Sequence, residues 1–155
     1  MIDRRSFLMA IPLALIACSV EAEESGTSEQ RALPLMVVHK TPTCGCCNAW
    51  VDHLRAAGFT VETVDVPDTT PIASRLGVPD TLRSCHTAEI GGYAIEGHVP
   101  AADIRRLLAL QPDADGLAVP GMPIGSPGME MGDQHDSYQV ILFDREGGQQ
   151  TFASY

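Results

Sequence analysis

Positive charge is scarce in this 155-residue chain: 10 Lys and Arg stand against 20 Asp and Glu, a formal net charge of −10. Such a balance argues against binding to nucleic acid or to anionic membrane surfaces, both of which attract cations. The acidic residues are scattered rather than clustered, as on a solvated surface. The chain has no internal repeat and no low-complexity tract. It also lacks a run that would span a bilayer comfortably, which takes about 20 apolar residues. The stretch from Phe7 to Ala17 falls short of that and is broken by Pro12. Finally, it lacks two separated C-x-x-C pairs, the usual framework of a structural zinc site.

What the N-terminus does have is the pattern of an export signal over residues 1–22. Arg4-Arg5-Ser6-Phe7-Leu8 looks like a twin-arginine signal, which exports proteins already folded. Two cleavage points compete. Val20-Glu21-Ala22 would release a soluble chain beginning at Glu23, whereas Leu15-Ile16-Ala17-Cys18 looks like a lipobox that would leave Cys18 lipidated. Either outcome places the protein in the periplasm, soluble or lipid-anchored, with no transmembrane span in the mature chain. Residues 23–33 are polar and read as a flexible tether.

About 130 residues remain, enough for one domain with a substantial core. Leu35-Met36-Val37-Val38 reads as a strand buried on both faces. Cys47, Trp50, Val51 and Leu54 recur at helical spacing, and Gly58 is the expected C-cap. Phe59 to Val66 alternates as a strand does. Thr70 is the expected cap of a short helix through Leu76. Cys85 to Ile90 and Tyr93 to His98 form a hairpin around Gly91-Gly92. Pro100 opens a helix with Ile104, Leu107 and Leu108 on one face, ending before Pro112. The expectation is an α/β domain over residues 34–111 with the order β-α-β-α-β-β-α. That order, with C-x-x-C at the first strand–helix junction, resembles the thioredoxin fold. Residues 112–155 read as an extension outside it: a Gly, Pro and Met-rich stretch from Gly116 to Gly132, then a hairpin of Tyr138 to Phe143 with Gln149 to Phe152.

The chemistry centres on Cys44-Gly45-Cys46-Cys47. Cys44 and Cys47 have redox-motif spacing, and Cys46 adds one sulfur more than such a motif needs. At a helix N-terminus the unpaired N–H groups favour thiolate, which serves either disulfide exchange or soft-metal binding. Cys85 opens the third predicted strand, where a thioredoxin-like chain faces its C-x-x-C motif. It is read as the fourth thiol of the site, against the plainer role of a buried apolar cysteine. Four thiolates suit Cu(I), Zn(II) or an iron–sulfur cluster. Iron–sulfur runs space their cysteines more evenly. Met122, Met129 and Met131 lie in an irregular segment, and thioether donors favour Cu(I). His39 and His86 neighbour the thiols and are weaker candidates; His53, His98 and His135 read as structural or surface residues.

Taken together, Lys40 to Cys47, Cys85-His86-Thr87, Glu96-Gly97-His98-Val99-Pro100 and the Met122 and Met129 segments resemble the CopG family of periplasmic copper-resistance proteins, which carry a C-x-C-C motif. The resemblance spans residues 35–153. It implies a thioredoxin-like domain with a metal-binding extension and a thiolate-bridged, multinuclear copper site that interconverts Cu(I) and Cu(II). Cys44, Cys46, Cys47 and Cys85 would supply sulfur, and Met122 and Met129 would come from the extension. A copper–thiol oxidoreductase would use Cys44 and Cys47 for redox chemistry, as a monomer working with periplasmic redox or efflux proteins. Two other readings stay open: a metal-free thiol–disulfide oxidoreductase, and a Cu(I) carrier that feeds an efflux system without redox chemistry.

Overall fold

The computed structural model describes residues 32–155. The export signal, the candidate lipobox at Cys18 and nearly all of the tether lie outside the described residues. The described residues form a mixed α/β structure of three helices and seven strands that share one sheet. Strands β1 (Met36–Lys40) and β2 (Val61–Asp65) pair in parallel, joined by helix α1 (Gly45–Ala56). Helix α2 (Thr70–Arg75) and a 3-10 turn (Asp80–Leu82) lead into the antiparallel hairpin β3 (His86–Ile90) and β4 (Tyr93–Glu96). Helix α3 (Ala101–Leu110) follows, then β5 (Gly116–Ala118), β6 (Gln139–Phe143) and β7 (Gln149–Ser154). The strand order across the sheet is β2-β1-β3-β4-β5-β6-β7.

Side-chain alternation assigns the two faces. Met36, Val38, Ala88, Ile90, Ile95, Leu117, Val140 and Leu142 point to one face and pack with Trp50, Val51, Leu54, Ile104 and Leu107 of α1 and α3. Ala94, Ala118 and Phe143 point to the other and pack with Ala73, Val78 and Leu82 from α2 and the turn after it. Burying each large aliphatic side chain here contributes about 1.5–3 kcal/mol. The first face holds most of these residues, so it carries most of the stability.

Two local features depart from expectation. Thr70 is the first residue of α2, not its cap; Thr69 occupies that position, and Asp68 Oδ1 accepts the Thr70 N–H at 2.9 Å. More consequential, Gly116–Ala118 is a strand, parallel to β4, so the C-terminal segment continues the same sheet. Gly116 permits this: a Cβ there would lie 2.0 Å from the Ala94 carbonyl oxygen, so any larger residue would push β5 off β4. The sequence hid β5 because a strand of three small or buried residues has neither alternation nor β-branched content.

Candidate metal centre

Cys44 is the N-cap of α1, and Cys46 and Cys47 lie in its first turn. Three consecutive positions of a helix point about 100° apart, so adjacent Cys46 and Cys47 diverge: Cys47 is fully buried and Cys46 is half-buried. Cys44 and Cys47 are joined as a disulfide. Cys85 immediately precedes β3 and brings its sulfur to the same place. Its Sγ lies 3.6 Å from Cys47 Sγ and 3.9 Å from Cys46 Sγ, and Cys44 and Cys46 sulfurs are 3.5 Å apart. All four sulfurs fall within 4.8 Å of one another.

A second group shares Cys85. His86 Nδ1 is 3.3 Å and His98 Nε2 3.2 Å from its sulfur, and this sulfur and the two imidazoles again lie within 4.8 Å of one another. The geometry fixes the tautomer of His98. Its Nδ1 lies 2.7 Å from the Pro127 carbonyl oxygen, which can only accept, so Nδ1 carries the proton and Nε2 presents a lone pair to the cluster. Metal-ligating histidines are held in this way by an outer partner. The His86 ring packs tilted against Trp50, with centroids 4.3 Å apart, and edge-on to His98 at 5.1 Å, and its Nε2 is buried without a hydrogen-bond partner. Trp50 is itself fixed, its indole N–H donating to the Val99 carbonyl at 2.9 Å.

Electrostatics suit a cation. Burial, reinforced by the positive charge that His98 can carry, pushes the His86 imidazole down to about 3. Burial also lowers His98, so both rings are neutral donors at pH 7. Burial first, then the neighbouring Cys46, pushes the Cys85 thiol up to about 12. A cation bound at such a thiol displaces its proton to solvent and takes its place on the sulfur. The fit is therefore to a soft or borderline metal: the donors are sulfur and neutral imidazole, and a buried imidazole nitrogen is uncommitted.

The remaining sequence candidates fall elsewhere or at the rim. His39 projects from the opposite face of the sheet, with Nε2 3.4 Å from Glu89 Oε1. The segment bearing Met122, Met129 and Met131 crosses the first turn of α1. Gly128 is the point of contact, at φ +84°, where a Cβ would meet the Trp50 backbone nitrogen at 2.7 Å and the Cys46 oxygen at 2.9 Å. Met129 is half-buried next to this contact. Met122 and Met131 are largely solvent-facing, 52% and 57% exposed. His135 packs on Gly125 in the same segment. His53, read as a surface or capping residue of the first helix, serves α3 instead: its Nε2 accepts the Ala101 N–H at 3.2 Å. His98 is the residue that sequence reasoning missed. The one signal was its place in Glu96-Gly97-His98, just past β4 and 13 residues after Cys85.

Comparison with known proteins bears on this cluster directly. Residues 82–129 match a family model described as "Protein of unknown function, DUF411". Two solved structures, both named copper resistance protein CopG and labelled Form 1 and Form 2, share 50% and 49% identity with this chain. Each alignment covers 79% of this chain and 98% of the other, with a TM-score of 0.75. The chain belongs to the CopG family of copper-resistance proteins. No curated protein matches it. A copper-related role follows from the family and from a cysteine cluster able to hold a metal. Among the described residues no helix is long and apolar enough to cross a membrane.

Proposed function

We propose that this CopG-family chain is an exported, periplasmic protein that binds several copper ions in a thiolate-bridged cluster and interconverts Cu(I) and Cu(II). Copper is its cargo and substrate. The observation that carries the reading is the position of Cys85, whose sulfur is within 4 Å of Cys46 and Cys47 sulfurs and of two neutral imidazoles. A thiolate there bridges a sulfur-rich subsite, which favours Cu(I), to a nitrogen-containing one, which also suits Cu(II). Cys44, Cys46, Cys47 and Cys85 supply sulfur, His86 and His98 supply nitrogen, and the Met129 segment shields the site. The scaffold of residues 34–111 is thioredoxin-like, and residues 112–155 are the extension that covers its thiol site.

Redox balance is simple. Two Cu(II) ions take one electron each as the Cys44 and Cys47 thiolates join in a disulfide, giving two Cu(I). A dithiol reductant returns the pair to thiols. The Cys44–Cys47 disulfide supports this reading, since such a bond would be the oxidised member of that couple. The test is copper content and oxidation state of the reduced protein after loading, by elemental analysis and electron paramagnetic resonance, with each cysteine changed to serine in turn. More than one copper per chain, and Cu(II) signal lost as the Cys44–Cys47 disulfide appears, is the expected result. Copper that stays Cu(I) throughout would make the protein a carrier instead.

The Cys44–Cys47 bond also favours a second reading, thiol–disulfide exchange without metal. That reading requires full exchange activity in Cys46→Ser and in copper-free protein.

A further inference from the structure

We infer that Glu96 is the positioning residue of the metal centre, holding Cys85 and the methionine-bearing segment in register through hydrogen bonds. The inference rests on the copper-site reading above, but its first test needs no copper. Glu96 is the last residue of β4 and is 1% exposed. A carboxylate is an expensive group to bury, and an apolar side chain would serve the core better. What the carboxylate supplies is two acceptors at a fixed spacing. Oε1 accepts the Ser84 N–H and Oε2 accepts the Thr87 hydroxyl, both at 2.7 Å. These donors flank Cys85 and His86 on either side.

The flanks matter because Cys85 lies beyond the ladder. The β3–β4 register begins at Thr87 opposite Glu96, and β1 reaches only as far as His86. The sulfur shared by both donor groups thus sits on an irregular stretch that the sheet does not hold. The clamp also reaches further. The Ser84 hydroxyl donates to the Gly121 carbonyl, the residue before Met122, and the Val119 N–H donates to the Glu96 carbonyl at 3.0 Å. The Glu96 side chain reaches that segment through Ser84, whose N–H it holds while the Ser84 hydroxyl holds Gly121, and the Glu96 backbone ties Val119 beside it.

The experiment uses the full chain, reduced and metal-free under anaerobic conditions. Iodoacetamide labelling of Cys85 relative to Cys46 in the same molecules is followed by mass spectrometry, and Cu(I) stoichiometry is measured separately. Loss of both hydrogen bonds in Glu96→Ala is expected to raise the Cys85/Cys46 labelling ratio about tenfold. Glu96→Gln keeps an acceptor for Ser84 and a donor for the Thr87 hydroxyl, so it should restore the wild-type ratio and copper number. A folded Glu96→Ala with the wild-type ratio overturns the inference, and so does a Glu96→Gln as impaired as Glu96→Ala. Should Glu96→Ala fail to fold, Thr87→Val removes one donor only; a folded Thr87→Val is expected to show a smaller rise, and no rise overturns the inference. Wild-type protein that binds no Cu(I) sinks the copper reading alone, because the labelling ratio is measured without metal.

Discussion

Replacing Gly128 by alanine isolates what the covering segment contributes, because it leaves every candidate donor in place. The new side chain faces two penalties. A non-glycine residue at φ +84° costs about 1–2 kcal/mol. Its Cβ would also stand 2.7 Å from the Trp50 nitrogen and 2.9 Å from the Cys46 oxygen. Both are backbone atoms of α1 and cannot swing aside. Restoring ordinary contact requires the segment to retreat by roughly 0.7 Å. Pro127 is the preceding residue, and its bond to His98 Nδ1 starts at 2.7 Å. The same retreat stretches that bond beyond good hydrogen-bond geometry, which removes about 1 kcal/mol more. The docked segment thus loses about 2–3 kcal/mol, while the core under α1 and α3 is untouched. Loss of an outer partner of a ligating histidine lowers metal affinity roughly 10–100-fold. Cu(I) competition titration against a chromophoric chelator measures the affinity, and nitrogen NMR of His98 reports its tautomer. Wild-type copper affinity in a Gly128→Ala protein, with His98 still protonated at Nδ1, would refute the argument that this contact seats the segment on the site.

Other outcomes follow from the same geometry. Cys46→Ser is expected to reduce copper from several ions to one or none per chain, because Cys46 bridges Cys44 and Cys85 at 3.5 and 3.9 Å; elemental analysis of loaded protein decides it. Cys85→Ser should separate the two donor groups, so that cluster spectroscopic features vanish even though Cys44, Cys46 and Cys47 remain. Trp50→Phe leaves the buried Val99 carbonyl without its donor and should cost about 1–3 kcal/mol, read as a lower urea midpoint at unchanged slope. Burial first, then its hydrogen bond to Asp103, raises Tyr155 from 10.0 to about 12 in the folded chain. The folded state therefore holds that proton longer than the unfolded one, so the associated stability is intact below about pH 10 and is lost as pH rises toward 12. Tyr155→Phe should flatten this alkaline decline, leaving the part owed to Tyr138, which burial raises in the same direction.

Periodic segments were legible because their signal is local. Cys47, Trp50, Val51 and Leu54 repeat every three to four residues, and they form the buried stripe of α1. Gly91-Gly92 between two apolar runs gives the β3–β4 hairpin, with Ile90 opposite Tyr93. β5 was not legible, because its fitness as a strand comes from the Ala94 carbonyl packed against Gly116, more than twenty residues away in sequence. Thr70 was misread as a cap because Asp68, Thr69 and Thr70 can each play that part, and only the backbone path chooses among them.

The sequence by itself determined the periodic elements, β5 excepted, the α/β class and the three thiols at the start of α1, since these depend on spacing along the chain. It also carried the family resemblance, through motifs that stand as short continuous strings. Tertiary structure decided which residues meet. Cys85 joins the thiols from 38 residues beyond Cys47, while His39, next to the cluster in sequence, lies across the sheet with Glu89. His98 turns an unprotonated Nε2 toward Cys85 because Pro127, 29 residues later, takes the proton side of its ring. A side chain's role as ligand depends on direction and on the partner of its second nitrogen, and both are set by packing between segments that no local pattern connects.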